Sequence, residues 1–356
     1  MMIQDNINPA VLATSLLAWY DRMGRDLPWR VKGEPHPKPY YVWLSEVMLQ
    51  QTTVATVGSY FTAFIQKWPT IQDFAAASLD EILHAWQGLG YYARARNMHK
   101  CARLIVSEHK GEFPATAALL ARLPGIGPYT AAAIASIAFE EKITPVDGNV
   151  MRVLSRLYAL QDPVPASMKR VSSLAQKLTP DQRTGDFAQA LMDLGATLCT
   201  PRAPKCLLCP WQTSCQGFKQ GMAEELPRKS LKTIKPDRYA IAFVISRGDG
   251  SVLLARREEK GLLGGMIEAP TTPWREKPWR LDEALAFCPL ECEWKENTRE
   301  VRHVFTHFNF KVIVCYGSVF EPVSLRLPRS FWVKPEDFSK MALPTVMKKI
   351  LSTLTV

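Results

Sequence analysis

Four cysteines crowd into one short segment as Cys199-x6-Cys206-x2-Cys209-x5-Cys215. A [4Fe–4S] cluster needs four thiolates wrapped around a cube, and unequal loops with a single close pair allow that. Structural zinc is the alternative, but its four-cysteine sites favour two Cys-x2-Cys pairs, and this segment has one. Upstream, Leu123-Pro-Gly125-Ile-Gly127-Pro-Tyr129 runs into the small-residue stretch Thr130 to Phe139. A Gly-x-Gly turn at a helix N-terminus exposes backbone N–H groups that can bind a phosphate oxygen. Val146-Asp147-Gly148-Asn149 follows about one helix later. An Asp beside Gly is ordinarily a turn residue or an N-cap; here it would also be a carboxylate lying beside a phosphate-binding hairpin. A second carboxyl, Glu46, has Val42, Trp43, Leu49 and Gln50 at helical spacing around it. Apolar surroundings raise a carboxyl's pKa, so Glu46 can keep its proton and serve as a general acid.

The elements that must hold these residues change character along the chain. Val11 to Arg22, Val42 to Val54, Ala115 to Arg122, Tyr129 to Phe139 and Asp186 to Leu198 carry apolar residues at helical spacing, with Pro or Gly between many of them. From Tyr239 the texture is β. Tyr239 to Ser246, Ser251 to Ala255 and Phe308 to Tyr316 are strand-like runs, and Gly248-Asp249-Gly250 predicts a hairpin between the first two. Leu281 to Phe287 and Leu343 to Leu354 predict helices. The expected fold is therefore multi-domain: an all-α domain over 1–220 containing the cysteine loop 199–215, a linker over 221–236, and an α/β domain over 237–356. Within Glu224 to Arg238, Pro227 and Pro236 stand among Arg228, Lys229, Lys232, Lys235 and Arg238, which reads as an exposed basic linker. No internal repeat is visible.

Composition agrees. At 356 residues the chain is longer than one core usually fills, and 47% hydrophobic with 10% aromatic residues excludes a mainly disordered chain. A net charge of +10 favours a polyanionic partner, nucleic acid before a membrane surface. The other cysteines, Cys101, Cys288, Cys292 and Cys315, are dispersed, a pattern of metal binding in a reducing compartment rather than of disulfides. The N-terminus has Asp5 where a signal peptide would be basic, and the most apolar stretch, Ala131 to Phe139, is far too short to span a bilayer. The expectation is a cytoplasmic protein with no membrane association.

The order helix, Gly125-Ile-Gly127, helix, Asp147, cysteine loop resembles the helix-hairpin-helix DNA glycosylase superfamily in its endonuclease III-like branch. Lyase-competent relatives carry a lysine two residues after the second glycine. Tyr129 stands there and cannot form a Schiff base, so the resemblance implies a monofunctional glycosylase. Leu27-Pro-Trp29-Arg30, Tyr41-Val-Trp-Leu-Ser-Glu46-Val-Met-Leu-Gln-Gln-Thr52 and Gly88-Leu-Gly-Tyr-Tyr-Ala-Arg-Ala-Arg-Asn97 resemble the adenine DNA glycosylases of the MutY type. That likeness extends over essentially the whole chain, because the family carries a C-terminal MutT (Nudix)-like domain.

The resemblance implies removal of adenine mispaired with 8-oxoguanine, or with guanine, from double-stranded DNA by a monomeric base-excision-repair enzyme with a [4Fe–4S] cluster. It makes Glu46 the acid that protonates adenine N7 and Asp147 the carboxylate that stabilises or traps the oxocarbenium-like sugar. Tyr129 and Asn149 would support that carboxylate and the sugar. Trp29, Arg30, Leu49, Gln51 and Gln189 would line the pocket for the extruded base. Leu89 and Tyr91 would contact the lesion or wedge beside it, and Gln51, Thr52, Gly125 and Gly127 would touch DNA. Arg94 and Arg96 would contact phosphate or form a solvated face, and Arg202, Lys205 and Lys219 would present cations beside the cysteine loop.

In the C-terminal part, Gly261 to Pro270 begins like a Nudix box, but no Arg-Glu-x-x-Glu-Glu helix follows it. That leaves a lesion reader in place of a metal-dependent hydrolase. Arg302-His-Val-Phe305-Thr306-His307 resembles the family's recognition loop, with threonine where serine is typical. Without the resemblance this run reads as an aromatic edge strand. An endonuclease III-like pyrimidine glycosylase/lyase is opposed by Tyr129 and the extra domain; a non-enzymatic helix-hairpin-helix module is opposed by Glu46 and Asp147 together.

Overall fold

A computed structural model of the chain describes residues 8–30, 37–228, 234–258, 261–320 and 329–354, without the side chains of 296 and 297. It divides into two compact units, Met1–Ala77 with Arg96–Leu231, and Ser78–Ala95 with Lys232–Val356. The sequence boundary placed 78–95 with the helical part; in the structure that segment belongs to the second unit.

The first unit is helical. Its elements are α1 (Pro9–Met23), α2 (Pro39–Leu49), α3 (Val54–Lys67) and α4 (Ile71–Ala76). After α5 (Leu79–Ala85), which belongs to the second unit, come α6 (Ala93–Glu108), α7 (Ala117–Leu120), α8 (Pro128–Phe139), α9 (Gly148–Leu157), α10 (Met168–Leu178), α11 (Thr184–Thr197) and α12 (Gln216–Lys219). Local chemistry sets their ends. Asn8 accepts from the Ala10 and Val11 N–H groups ahead of α1, and Thr70 with Asp73 forms a capping box on α4. The helix predicted through Val54 stops at Leu49, because Gln51 takes a left-handed φ of 59° and Thr53 caps α3. α8 is buried at every residue from Thr130 to Ala138, which its run of alanines permits by letting neighbours approach from several sides. Leu16, Val150, Leu154, Leu174, Phe187, Leu191 and Trp211 form a core joining α1, α9, α10 and α11.

The expected exposed linker starts later than its composition suggests. Leu226 is buried, its carbonyl accepts from Arg156 Nε at 2.9 Å, and the Arg228 carbonyl accepts from Val164 N–H at 2.9 Å. Apolar burial and two backbone partners hold this stretch on the helical unit despite its basic neighbours. Lys229 and Lys232 lie outside the described residues.

The second unit is built on a mixed sheet. Its strands are β1 (Asp237–Arg247), β2 (Val252–Arg256), β3 (Ile267–Glu268), β4 (Glu293–Val304), β5 (Asn309–Val319) and β6 (Ser330–Val333), with α13 (Leu281–Leu285) and α14 (Thr345–Leu351). The order is β3-β2-β1-β5-β4, with β6 also on β2. β1 and β2 form the predicted hairpin, whereas β1 and β5 run parallel from Asp237↔Asn309 to Arg247↔Val319. One face packs Ala242, Val244, Phe310, Val312 and Val314 against Val346, Met347 and Ile350 of α14. The other packs Ile241, Phe243, Ile245 and Leu253 against Ala284 of α13 and Leu290. Cys288, Cys292 and Cys315 gather on this second face, and the Cys288 and Cys292 thiols share a hydrogen bond, so three of the four thiols dispersed in sequence are close in space. Among the described residues no helix is long and apolar enough to cross a membrane.

Candidate active site

Glu46 sits in the middle of α2 and is only 7% exposed. Burial is the chief cause that lifts its carboxyl from the ordinary range to about 7; Asp147 adds to the rise, while a hydrogen bond from Tyr129 and the charge of Arg30 oppose it. The residue lines a cleft of about 420 Å³, open mouth included, with Trp29, Arg30, Leu49 and Gln189. Four of the five residues expected around an extruded base therefore meet there. The fifth, Gln51, does not line it. The left-handed turn after α2 directs Gln51 to the surface. Gln189, a residue type that usually faces solvent on a helix, is buried, with its Nε2 donating to the Gly185 carbonyl at 3.3 Å.

Asp147 is the N-cap of α9, and its position follows from that role. Its Oδ1 accepts from the Asn149 and Val150 N–H groups at 2.8 and 2.7 Å, and its Oδ2 accepts from Asn149 Nδ2 at 2.8 Å. Three donors thus fix a carboxylate without covering it. Asn149 is in turn held by Arg152, whose Nη2 donates to Asn149 Oδ1 at 2.8 Å and whose Nε donates to the Cys199 carbonyl at 2.7 Å. Tyr129 bonds differently from expectation: its hydroxyl donates to Glu46, and Asn149 is what supports Asp147.

Three residues at this site escaped the sequence reading. Asp193 of α11 is fully buried and accepts from Arg25 and Arg30; the signal for it was a carboxylate set between Leu191-Met192 and Leu194, four residues after Gln189. Gln50 Nε2 donates to Thr130 Oγ1 at 3.0 Å, tying the end of α2 to α8. Arg152 is the third; besides the nearby Asn149 it reaches the Gly195 and Cys199 carbonyls, remote in sequence, so no local pattern announces that link.

The hairpin glycines differ in what requires them. Gly125 has φ 77°, and a Cβ there would fall 2.6 Å from Asn97 Cβ. Gly127 has an ordinary φ of −82° and caps α8, and a Cβ there would meet nothing. Its backbone therefore faces open space at a helix N-terminus, where an anion is favoured. Thr52 follows α2 with its N–H donating to the Leu49 carbonyl at 3.2 Å.

In the second unit, Tyr91 is 51% exposed with φ 48°, whereas Leu89 is 4% exposed. Leu89 therefore supports the turn from beneath, and Tyr91 is the side chain available to a base. Arg94 neither contacts solvent as a free face nor is poised for phosphate: it is buried, donates to the Leu89 and Gly90 carbonyls and lies over the Trp86 ring. Arg96, in the first unit, is buried as well. The proposed reading run splits at its middle. Arg302 to Val304 are edge strand β4, while Phe305 to His307 form a tight loop closed by Phe305 N–H on the Phe308 carbonyl at 2.9 Å. Phe305 is anchored against Trp274, Phe308 and His303; Thr306 and His307 are exposed. The Thr306 hydroxyl pairs with that of Tyr91 at 2.6 Å, inside the same unit.

Comparison with known proteins finds two matched regions, the first of which runs through 78–95. The HhH-GPD superfamily of base excision DNA repair proteins matches residues 44–181, and a NUDIX domain matches 241–353. The adenine DNA glycosylase of Rattus norvegicus is 38% identical over 98% of this chain and 79% of its own length. That of Homo sapiens is 37% identical over 94% of this chain and 72% of its own. The chain belongs to the adenine DNA glycosylases. Among solved structures, a thermostable thymine-DNA glycosylase is 29% identical with a TM-score of 0.53, covering 60% of this chain and 97% of that one. An endonuclease III–DNA complex is 25% identical, with a TM-score of 0.50 over 61% of this chain and 99% of that chain.

In this adenine DNA glycosylase family member the four clustered cysteines surround one apolar cavity of about 430 Å³, together with Val153, Leu194, Leu198, Trp211 and Phe218. Arg156 Nη1 approaches Cys199 Sγ at 3.3 Å. Among the described residues no three His, Cys, Asp or Glu side chains are gathered as they would be around a single ion. Arg202, Lys205 and Lys219 are exposed around the loop.

Proposed function

We propose that this chain hydrolyses the N-glycosidic bond of adenine mispaired with 8-oxoguanine, or with guanine, in double-stranded DNA and leaves an intact abasic site. The observation that carries the reading is the pair of unlike carboxyls: Glu46 buried in the cleft and lifted to about 7, Asp147 held by three donors beside it. The extruded adenine occupies the cleft between Trp29, Leu49 and Gln189. Glu46 delivers its proton to adenine N7, turning the base into a leaving group. Asp147 faces the positive charge that develops on the sugar, with Asn149 keeping the side chain in place. Tyr129 holds Glu46 and supplies no amine, so no Schiff base forms at that position and the strand stays uncut.

Surfaces in each unit fit that substrate. Gly125 and Gly127 present the α8 N-terminus to a phosphate, Thr52 and Gln51 lie at the exposed end of α2, and Tyr91 serves as the wedge. Phe305, Thr306 and His307 read the lesion: the hydroxyl can accept from N7–H of 8-oxoguanine, a donor that guanine lacks. A [4Fe–4S] cluster suits the four thiols, because they line a single apolar cavity and supply the thiolate set that such a cluster takes. Cys199, Cys206, Cys209 and Cys215 would hold it, and when bound it supplies a cross-link that orders the loop. Through Arg152 the same loop steadies Asn149. The protein acts as a monomer on DNA in the cytoplasm.

Duplexes carrying A:8-oxoguanine, A:G and thymine glycol, each incubated with and without alkali, test this reading. Cleavage of the adenine strand on the first two substrates only after alkali supports it. Strand cutting without alkali, or preference for thymine glycol, overturns it.

A further inference from the structure

Arg30 poses a problem for the acid that the proposed function assigns to Glu46. A guanidinium in the same cleft stabilises the ionised carboxylate and so works against proton retention. The geometry shows how that charge is absorbed. Arg30 Nη1 and Nη2 donate to Asp193 Oδ2 and Oδ1 at 2.7 and 2.9 Å, a fork against both oxygens. Arg25 donates to the same two oxygens, from Nε at 2.7 Å and from its backbone N–H at 2.9 Å. Asp193 is fully buried, while Arg25 retains partial access to solvent. A carboxylate with these donors and no exposure stays ionised, so its negative charge lies against the Arg30 fork and is shared with Arg25.

We propose that Asp193 is a positioning residue for the acid step: it turns the Arg30 fork toward α11 and cancels its charge, so that Glu46 keeps its proton. This rests on the reading of Glu46 as the acid. The groups facing Glu46 are Tyr129 of α8, Asp147 at the start of α9, and Arg30 before α2; Tyr20 of α1 and Asp193 of α11 face Arg30 from the other side. Tyr20 is itself pushed up to about 12 by burial, so it stays neutral across the working range. Asp193 is then the anion placed to balance Arg30, and removing it leaves Glu46 to do so.

The test is the pH profile of single-turnover adenine release from an A:8-oxoguanine duplex. The proteins are wild type, Asp193→Asn, Asp193→Glu, Arg30→Gln and the Asp193→Asn/Arg30→Gln double variant. In wild type the rate is lost as pH rises through about 7. Asp193→Asn moves that midpoint down by about 1–3 units, the usual effect of an opposite charge at close range. It therefore loses about 10-fold or more in rate at pH 7.5 and regains it in acid. Asp193→Glu keeps the charge and the wild-type midpoint. Arg30→Gln removes the cation that favours the ionised Glu46 carboxylate, while Asp193 stays paired with Arg25, and moves the midpoint up. The double variant returns it toward wild type.

A uniform loss at every pH in Asp193→Asn, with the midpoint unmoved, would mean that Asp193 only supports the fold and would overturn the proposal. If that variant does not fold, an unmoved midpoint in Arg30→Gln overturns it equally. Glu46→Gln, run alongside, separates the two layers. If it retains release, the acid assignment has failed; if it is dead and only the midpoints stay fixed, the fault lies with Asp193.

Discussion

With a pKa of about 7, Glu46 is close to half protonated at neutral pH, while the carboxylate of Asp147 is held by backbone and side-chain donors. That contrast gives opposite predictions for rate and stability in one substitution. Glu46→Gln should lower adenine release by about 10²–10⁴-fold, the usual contribution of a positioned acid, measured in single turnover. Stability runs the other way. A carboxyl raised from 4.5 to about 7 binds more protons folded than unfolded, so its contribution is full below 4.5 and is lost as pH rises to about 7. The wild-type cost at pH 8 is roughly 3 kcal/mol, so Glu46→Gln should be the more stable protein at pH 8 in denaturant titrations. An advantage equally large at pH 4 would mean that repacking, and not ionisation, is responsible. Glu46 and Asp147 were legible in sequence because each lies in a distinctive local pattern. Asp193 was not, because its partners Arg25 and Arg30 lie far away in sequence, and neither was the tie that Arg152 makes from Asn149 to the Gly195 and Cys199 carbonyls.

The helices and turns translate those patterns into positions, and the two hairpin glycines separate folding from binding. Gly125→Ala puts a Cβ into Asn97 at a left-handed φ, so it should cost about 1–3 kcal/mol of stability, read from thermal or denaturant unfolding. Gly127→Ala meets no atom and keeps an allowed φ, so it should unfold much as wild type does while binding duplex DNA more weakly. Equal stability loss in both would remove the distinction. Helix existence was readable from apolar spacing, and α8 and α11 lie within two residues of expectation. What failed was local context. α2 stopped at Leu49 because of a left-handed residue, and the first residues of the basic stretch, Leu226 to Arg228, stay on the helical unit because Leu226 is buried. Leu89 and Tyr91 were named together for contact with the lesion, yet Leu89 is buried and Tyr91 exposed, a difference their spacing does not reveal.

At the scale of the molecule, a helical unit carrying the two carboxyls is combined in one chain with a sheet unit carrying the loop around Thr306. The purified protein should be brown and contain iron and sulfide. Serine substitution at Cys199, Cys206, Cys209 or Cys215 should lose the colour, and substitution at Cys101, Cys288, Cys292 or Cys315 should keep it. A colourless, zinc-loaded, active preparation would contradict the cluster assignment. In the sheet unit, Thr306→Ser should be nearly neutral. Thr306→Ala with His307→Ala should lose about 1–3 kcal/mol of preference for A:8-oxoguanine over A:G, the size of one good base-edge contact. An unchanged preference would reduce the loop to ordinary strand packing.

The central claim is that Glu46 and Asp147 together release adenine, and direct quantification of free adenine tests it without relying on strand cleavage. Wild type, Glu46→Gln and Asp147→Asn are each mixed in excess with an A:8-oxoguanine duplex and the freed base is measured over time. Asparagine remains a good N-cap, so the second variant should stay folded and bind duplex. Wild type should release one adenine per duplex and either variant almost none, with binding retained. Comparable adenine release by either bound variant would contradict the claim.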